Sequence, residues 1–279
     1  MPLTEKLISS FLAFELDIDI NSPIHSIRTN AIKKFEELGF PNRKLENWKY
    51  TSLNRIIKED YTVFSKKKNV IDFKKVQDYF INNIESYKII FVDGYFDPFL
   101  SQTSHDGLDI CIMSAALSKA KYSKIINKFF NKSANSEDSL TSLNTAFSKE
   151  GAYIHIPKNT VLDKPVEIIH FATGNEAALM LQPRNLVVVE ENSEVEIIES
   201  HQSLTVNPIF TNSVTEIFAQ KNSNVDYYKI QNDLITSSLV DNTYISQQRN
   251  SEVKVHTFSF GGKLTRNNLN FYQKDEAIN

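Results

Sequence analysis

The sequence predicts an α+β protein in which a mostly helical region over residues 1–150 precedes a β-solenoid over residues 151–279. Apolar residues recur at helical spacing in several segments before residue 150. After it, short runs rich in Val, Ile, Tyr and Phe alternate with Asn, Ser and Asp. A short motif also repeats at nearly constant spacing in this second region, which is typical of stacked structural units.

Four segments define the elements of the first region. The apolar residues of the first predicted helix are Ile24, Ile27, Ala31, Phe35 and Leu38. This helix should end at the glycine and proline that follow it. Residues 87–92 predict a buried strand that ends in an Asp-Gly turn. Residues 115–130 and 137–147 predict two further helices.

The repeat is the pattern Asn-Ser-x-Val, which begins at residues 192, 222 and 250 and so recurs after 30 and then 28 residues. A weaker copy begins at Asn159. Apolar residues alternate after each copy, and another apolar residue lies five positions before each asparagine. Such a strand–turn–strand unit cannot bury its apolar face alone, and stacking the units covers that face and pairs the strand edges. The pattern therefore favours a solenoid over a sandwich.

Composition excludes several classes of protein. The 31 Lys and Arg residues nearly balance the 34 Asp and Glu residues, so the chain lacks the basic field of a nucleic-acid binder. The single cysteine, Cys111, excludes a disulfide framework and a Cys-rich cluster site built from this chain alone, and we expect it to be buried and inert. No signal peptide or membrane-spanning run is visible, so we expect a cytoplasmic protein without a membrane partner.

The motifs of common enzymes are missing. Gly261-Gly262-Lys263 lacks the upstream glycine and the following hydroxyl residue of a phosphate loop. The histidines are scattered along the sequence, at His25, His105, His155, His170, His201 and His256. We therefore expect no catalytic residue and no metal ligand.

The best metal-like cluster is Glu196, Glu199 and His201. On a regular strand, Glu199 and His201 would share one face, and Glu196 would point the other way. We interpret the three as hydrated surface side chains, and His201 as a satisfied histidine of one solenoid turn. A competing hypothesis, an autonomous metal protein, predicts that bound metal is lost when Glu199 or His201 is changed to alanine.

A second hypothesis is a polysaccharide-active enzyme, because β-helices carry such activities. It requires paired carboxylates, or an acid with an arginine, on neighbouring strands. The candidates are irregularly placed, at Asp226, Asp233, Asp241, Arg249 and Arg266. A secreted sugar enzyme should also carry an export signal, and none is visible.

Several segments, taken in order, match one known family. The most specific are residues 40–51, which contain Glu-Asn-Trp-Lys-Tyr-Thr after a proline, and residues 261–269, Gly-Gly-Lys-Leu-Thr-Arg-Asn-Asn-Leu. Supporting segments are residues 143–168, 183–185, 197–201 and 227–231. From about residue 20 onward the sequence resembles the SufB/SufD family of iron–sulfur cluster assembly proteins, and its SufD branch in particular. We expect Trp48 and Tyr50 to be core anchors, and Arg266 to pair with an acid or cap a solenoid turn.

The resemblance implies a partial right-handed parallel β-helix and a non-enzymatic scaffold subunit. It implies two partners, the paralogue SufB and the ATPase SufC, and we also consider a homodimer. An iron–sulfur cluster would be assembled transiently with the partner subunits, and none would be bound by this chain alone. The residues that bind a cofactor are not identified by the sequence.

Family members continue beyond the Gly-Gly-Lys segment into further β-helix turns and a helical domain that docks SufC. The resemblance therefore predicts that this sequence is truncated on its C-terminal side.

Overall fold

A computed structural model describes residues 1–16, 22, 24–63, 68–81, 84–103, 109–134, 136–174 and 177–278. The helices are α1 (Leu3–Leu16), α2 (His25–Leu38), α3 (Phe73–Val76), α4 (Met113–Leu117), α5 (Ala120–Phe129) and α6 (Ser139–Ala146). The strands of the first region and its junction are β1 (Tyr87–Val92), β2 (Tyr95–Phe96), β3 (Asp109–Ile112), β4 (Ala152–Ile156), β5 (Val166–Ala172), β6 (Leu179–Leu181) and β7 (Arg184–Val189). The remaining strands are β8 (Glu194–Ser203), β9 (Ile209–Ala219), β10 (Asn224–Asp233), β11 (Ser237–Gln247), β12 (Glu252–Gly261) and β13 (Leu264–Gln273).

Two facing sheets form a β-solenoid, as the repeat predicts. One sheet has the strand order β12-β10-β8-β5-β1-β2, and the other has the order β13-β11-β9-β7-β4-β3. From β8 onward, successive strands alternate between the two sheets, and each pairs in parallel with the strand one turn away. The helical region followed by about four stacked turns confirms the predicted fold class.

Asparagines in the left-handed conformation make one row of turns. Asn159, Asn192, Asn222 and Asn250 have φ values of 62°, 59°, 57° and 57°. The side-chain amides of the last three donate to the side-chain oxygen of the asparagine one turn earlier, over 2.8, 2.8 and 3.1 Å. Asparagine suits this place because it tolerates left-handed backbone and supplies both a donor and an acceptor. The weaker copy at Asn159 is therefore a full member of the ladder.

The core beside this ladder is apolar, because alternate residues of both sheets point inward. These inward-facing residues include Val187, Val189, Val195, Ile197, Ile217, Val225, Tyr227, Ile245 and Val253. All of them are buried, so the alternation read from the sequence selects the correct face.

The first region is attached to the solenoid at several points. Strand β1 pairs in parallel with β5, and β3 pairs antiparallel with β4, so both sheets continue into residues before 150. Helix α6 is held by Asn144, whose side-chain amide donates to the carbonyl oxygens of Pro183 and Asn212, each over 2.8 Å.

Most of the predicted elements of the first region are confirmed. Helix α2 ends at Gly39, which has a φ of 64°, and β1 covers the predicted residues. The single helix predicted over residues 115–130 is wrong, because Lys119 is extended and separates α4 from α5. Helix α1 was not predicted, although Leu3, Leu7, Phe11 and Phe14 form its buried face. Among the described residues, none of the helices combines the length and the apolar character that crossing a bilayer requires.

Candidate functional site

Polar side chains replace the apolar core in the half of the solenoid that lies away from the asparagine ladder. On β8 the inward positions run Val195, Ile197, Glu199 and His201, so two apolar residues are followed by an acid and a base. Glu199 is 1% exposed and His201 is 6% exposed. The inward face of this strand therefore carries two ionisable groups inside the protein.

His170 on β5 completes the cluster. The register of the parallel strands places His170 directly beside His201, and their rings stack with centroids 4.7 Å apart and planes 10° from parallel. Phe91 on β1 stacks on the other side of His170 at 5.1 Å. The stack of three rings fixes the orientation of both imidazoles.

The carboxylate of Glu199 is held by side chains from three other strands. Its Oε1 accepts a hydrogen bond from Asn185 Nδ2 over 2.9 Å, and its Oε2 accepts bonds from Tyr227 Oη and Thr215 Oγ1. These contacts come from β7, β10 and β9, so the position of the carboxylate is determined by the assembled solenoid.

Both imidazoles direct Nε2 toward the same carboxylate oxygen. The distance to Glu199 Oε1 is 3.3 Å from His170 Nε2 and 3.4 Å from His201 Nε2. Neither contact has the angles of a hydrogen bond, and both Nε2 atoms are buried without a hydrogen-bond partner among the described residues. Burying a polar nitrogen without a partner costs free energy. The cluster therefore lacks a group that interacts with the two Nε2 atoms.

The electrostatics of the cluster are strongly perturbed. Burial raises the pKa of Glu199, but the two histidines outweigh burial and hold that pKa well below its ordinary value. Burial lowers the pKa of His170. Burial also lowers the pKa of His201, but Glu199 together with the charges of Asp241 and Asp233 outweighs burial, so the pKa of His201 is raised. Burial, together with the charge of Glu199, raises the pKa of Tyr227 well above its ordinary value. Glu199 is thus a carboxylate, and Tyr227 donates to it.

A second ion pair lies in the same polar interior. Lys229 Nζ contacts Asp241 Oδ2 at 2.6 Å and donates to Thr243 Oγ1 over 2.8 Å. A void of about 10 Å³ lies between this pair and the cluster, and Glu199, His201 and Gln231 also line it. That volume corresponds to about one water molecule or one ion.

Several sequence-based interpretations need correction. Glu196 is exposed and points away from Glu199 and His201, as predicted, but the hydrated setting assigned to Glu199 and His201 is wrong because their strand face is buried. His201 is also not a satisfied histidine, since its Nε2 lacks a hydrogen-bond partner among the described residues. The histidines are not all scattered, because His170 and His201 are stacked.

Sequence reasoning missed His170, Asn185 and Tyr227 as members of the cluster. One signal was present, because His170 follows Val166 and Ile168 at alternate positions, and His201 follows Val195, Ile197 and Glu199 in the same way. The other histidines lie elsewhere, and His105 falls outside the described residues. His155 contacts Asp109 and Glu190, and His256 stacks on Tyr228.

The acids proposed for a polysaccharide site do not form an isolated carboxylate pair. Asp241 is buried against Lys229, whereas Asp226 lies on the opposite face of its strand from Val225 and Tyr227. Asp233 lies at the last position of β10, and Arg249 is exposed in a turn.

Comparison with known proteins agrees with this architecture. The model described as "SufBD protein N-terminal region" matches residues 3–168, and the model described as "SUF system FeS cluster assembly, SufBD core domain" matches residues 170–279. The chain belongs to the SufBD family.

Curated relatives of this SufBD protein support the assignment at moderate identity. An iron–sulfur cluster assembly SufBD family protein of Synechocystis is 28% identical over 258 residues, which are 90% of this chain and 56% of the relative. The iron–sulfur cluster assembly protein SufD of Bacillus subtilis is 25% identical over 266 residues, covering 89% and 58%. SufD of Escherichia coli is 22% identical over 235 residues, covering 82% and 51%. The chain thus spans a little over half the length of these relatives.

The two most specific segments of this SufBD protein meet in the fold. Arg266, from the Gly-Gly-Lys segment, contacts Trp48 from the tryptophan segment. Trp48 is buried, which confirms it as a core anchor, whereas the same interpretation of Tyr50 is wrong because that side chain is 88% exposed. Arg266 therefore packs on an aromatic ring, and among the described residues it forms no ion pair with an acid.

Proposed function

We propose that this chain is a scaffold subunit of a SufB–SufC–SufD-type complex and does not itself catalyse a reaction. The observation that carries the proposal is the succession of the two SufBD family matches, which together extend from residue 3 to residue 279. Its partners would be a SufB paralogue and the ATPase SufC, and the iron–sulfur cluster would be assembled with them.

The chemistry of the single cysteine supports a role without cluster ligation by this chain. Cys111 is half-buried, and burial raises the pKa of its thiol to about 11. Iron–sulfur clusters are usually held by four cysteine thiolates, and a chain with one cysteine cannot supply four. The sulfur ligands of a cluster would therefore come from partner subunits.

The outermost strands of the solenoid offer a surface for a paralogue. Strands β12 and β13 end the two sheets, so each has one edge without a strand partner among the described residues. Phe258, Phe260 and Phe271 on these strands are 46%, 56% and 45% exposed. An unpaired edge with apolar side chains favours the addition of a further strand, either from a later turn of a longer chain, since this chain spans a little over half the length of its relatives, or from another chain. Self-association of two copies through the same edges is the competing hypothesis.

The cytoplasmic location stays a prediction of the sequence.

Co-expression tests the proposal. The tagged chain would be produced with SufB and SufC of the same organism, beside the variants Phe271→Lys, at the outer strand, and Phe99→Lys, an exposed control outside both sheets. We expect the wild type and Phe99→Lys to retain SufB, and Phe271→Lys to retain much less. SufC should be retained only when SufB is present.

Two results would overturn the proposal. One is failure of the wild-type chain to retain SufB at low salt. The other is a homodimer that excludes SufB, measured by light scattering of the purified chain with and without SufB.

A further inference from the structure

The His170–Glu199–His201 cluster has the donor set of a transition-metal site. Two imidazole nitrogens and one carboxylate oxygen are ligands that Zn²⁺ and related divalent ions bind in proteins. The three donor atoms lie within 4.8 Å of one another. All three side chains are at least nine-tenths buried.

The distances fit this coordination. Two ligands at about 2.0–2.1 Å from a tetrahedral ion are about 3.4 Å apart. The two observed separations between Nε2 and Oε1 are 3.3 and 3.4 Å. The third pair, the two Nε2 atoms, lies within 4.8 Å, and binding one ion in the plane of both rings requires the imidazoles to tilt out of their parallel stack.

The buried negative charge of Glu199 also favours a bound cation. Asp241 contacts Lys229, so among the residues that line the void beside the cluster the carboxylate of Glu199 is the acid without a lysine or arginine partner. A buried charge without a counter-ion is strongly unfavourable. A divalent cation in contact with Glu199 Oε1 would compensate this charge, and both imidazole Nε2 atoms lie within 3.4 Å of the same oxygen.

The surroundings of Glu199 resemble the outer ligand shell of known metal sites. Asn185, Thr215 and Tyr227 hold the carboxylate in place, and such partners typically orient a ligand and raise affinity. The void of about 10 Å³ beside Glu199 and His201 leaves room for one further ligand, such as water. His170 also lines a second cavity, of about 60 Å³, with Lys149 and Gln182, which offers an approach to the cluster.

We propose that Glu199 and the Nε2 atoms of His170 and His201 bind one divalent first-row transition-metal ion inside the solenoid. This inference concerns the chain itself and is independent of its partners.

Co²⁺ is the probe, because a tetrahedral Co²⁺ site absorbs strongly in the visible range. The 279-residue chain would be stripped with a chelator and titrated with Co²⁺, followed by competition with Zn²⁺. We expect about one Co²⁺ per chain, a tetrahedral spectrum, and its loss on adding Zn²⁺.

Variants separate the site from adventitious binding. Glu199→Gln and His201→Ala should abolish the spectrum, and Tyr227→Phe should weaken Co²⁺ binding by about 10- to 100-fold. His256→Ala is the matched control, because this exposed histidine lies on β12, two strands from His201. Circular dichroism would establish which variants are folded.

The wild-type protein gives a second readout that does not depend on variant folding. A folded-state site raises the urea midpoint as free Zn²⁺ increases. The proposal is overturned if the wild-type chain shows neither the Co²⁺ spectrum nor this rise, which would leave a histidine–glutamate ion pair or a water at the site. It is also overturned if a folded Glu199→Gln variant keeps the spectrum, or if His256→Ala loses it.

Discussion

The guanidinium of Arg266 lies over the indole ring of Trp48, 4.3 Å from the ring centroid. The same group donates hydrogen bonds to Thr51 Oγ1 over 3.2 Å and to the carbonyl oxygen of Asn47 over 2.8 Å. One side chain of the outermost solenoid strand is thereby joined to the segment that follows α2. The contact couples the folding of the helical region to that of the last turn.

Changing Arg266 should loosen this junction. We expect Arg266→Ala to lower the free energy of unfolding by about 1–3 kcal/mol, because it removes the cation–π contact and two hydrogen bonds. Arg266→Lys should recover only part of the loss, since an ammonium group cannot stack and bond in the same way. Trp48 is the only tryptophan, so its fluorescence reports the site during urea unfolding. The exposed Arg249→Ala is the control, and equal stability of Arg266→Ala and wild type would contradict the prediction.

Glu216 should be among the most sensitive positions for stability. It is fully buried, pairs with Arg184 Nη2 at 2.6 Å, and accepts hydrogen bonds from the backbone amides of residues 131–134. Glu216→Ala removes the carboxylate that pairs with the buried charge of Arg184 and that accepts from these amides, and we expect a loss of about 3–5 kcal/mol in unfolding free energy. The exposed Glu196→Ala is the control in the same urea series. A similar loss in both variants would show that the buried pair has no special role.

In the asparagine ladder, replacement by glycine should destabilise the fold less than replacement by alanine. This is the reverse of their usual order in helices and strands. Asn222 has a φ of 57° and bonds asparagines on both sides. Asn222→Ala should cost about 2 kcal/mol, since it loses the side-chain bonds and places a Cβ in left-handed backbone. Asn222→Gly should cost about 1 kcal/mol less, because glycine keeps the conformation. Urea midpoints of both variants and of the exposed control Asn224→Ala measure the effect, and an alanine variant as stable as the glycine variant would refute it.

Glu150 should make stability depend on pH. Burial raises its pKa to about 6 from 4.5, against the weaker opposing effects of Ser114, Lys149 and Lys68. Because the folded chain favours the protonated form, this contribution is fully present below pH 4.5 and is lost as pH rises to about 6, by about 2 kcal/mol at most. Glu150→Gln should lack this loss. The measurement is urea unfolding of both proteins from pH 4 to 7, and a pH-independent difference between them would count against the assignment.

The sequence by itself determined the features that depend on local geometry. The Asn-Ser-x-Val repeat identified the turns of the solenoid, because left-handed backbone favours asparagine and strand alternation fixes which residues share a face. The same alternation put Glu199 and His201 on one face, and their apolar neighbours Val195 and Ile197 could have shown that this face is the buried one. Residues 40–51 and 261–269 indicate the family through their sequence alone.

Only the tertiary structure decided which distant residues meet. His170 lies beside His201 because of the register between β5 and β8, and Tyr227 and Asn185 reach Glu199 from two further strands. The break between α4 and α5 and the contact of Arg266 with Trp48 also depend on packing against the assembled sheets. Periodicity reports the face on which a side chain lies, but strand register and sheet closure determine its neighbours, and those neighbours make the buried cluster a candidate site.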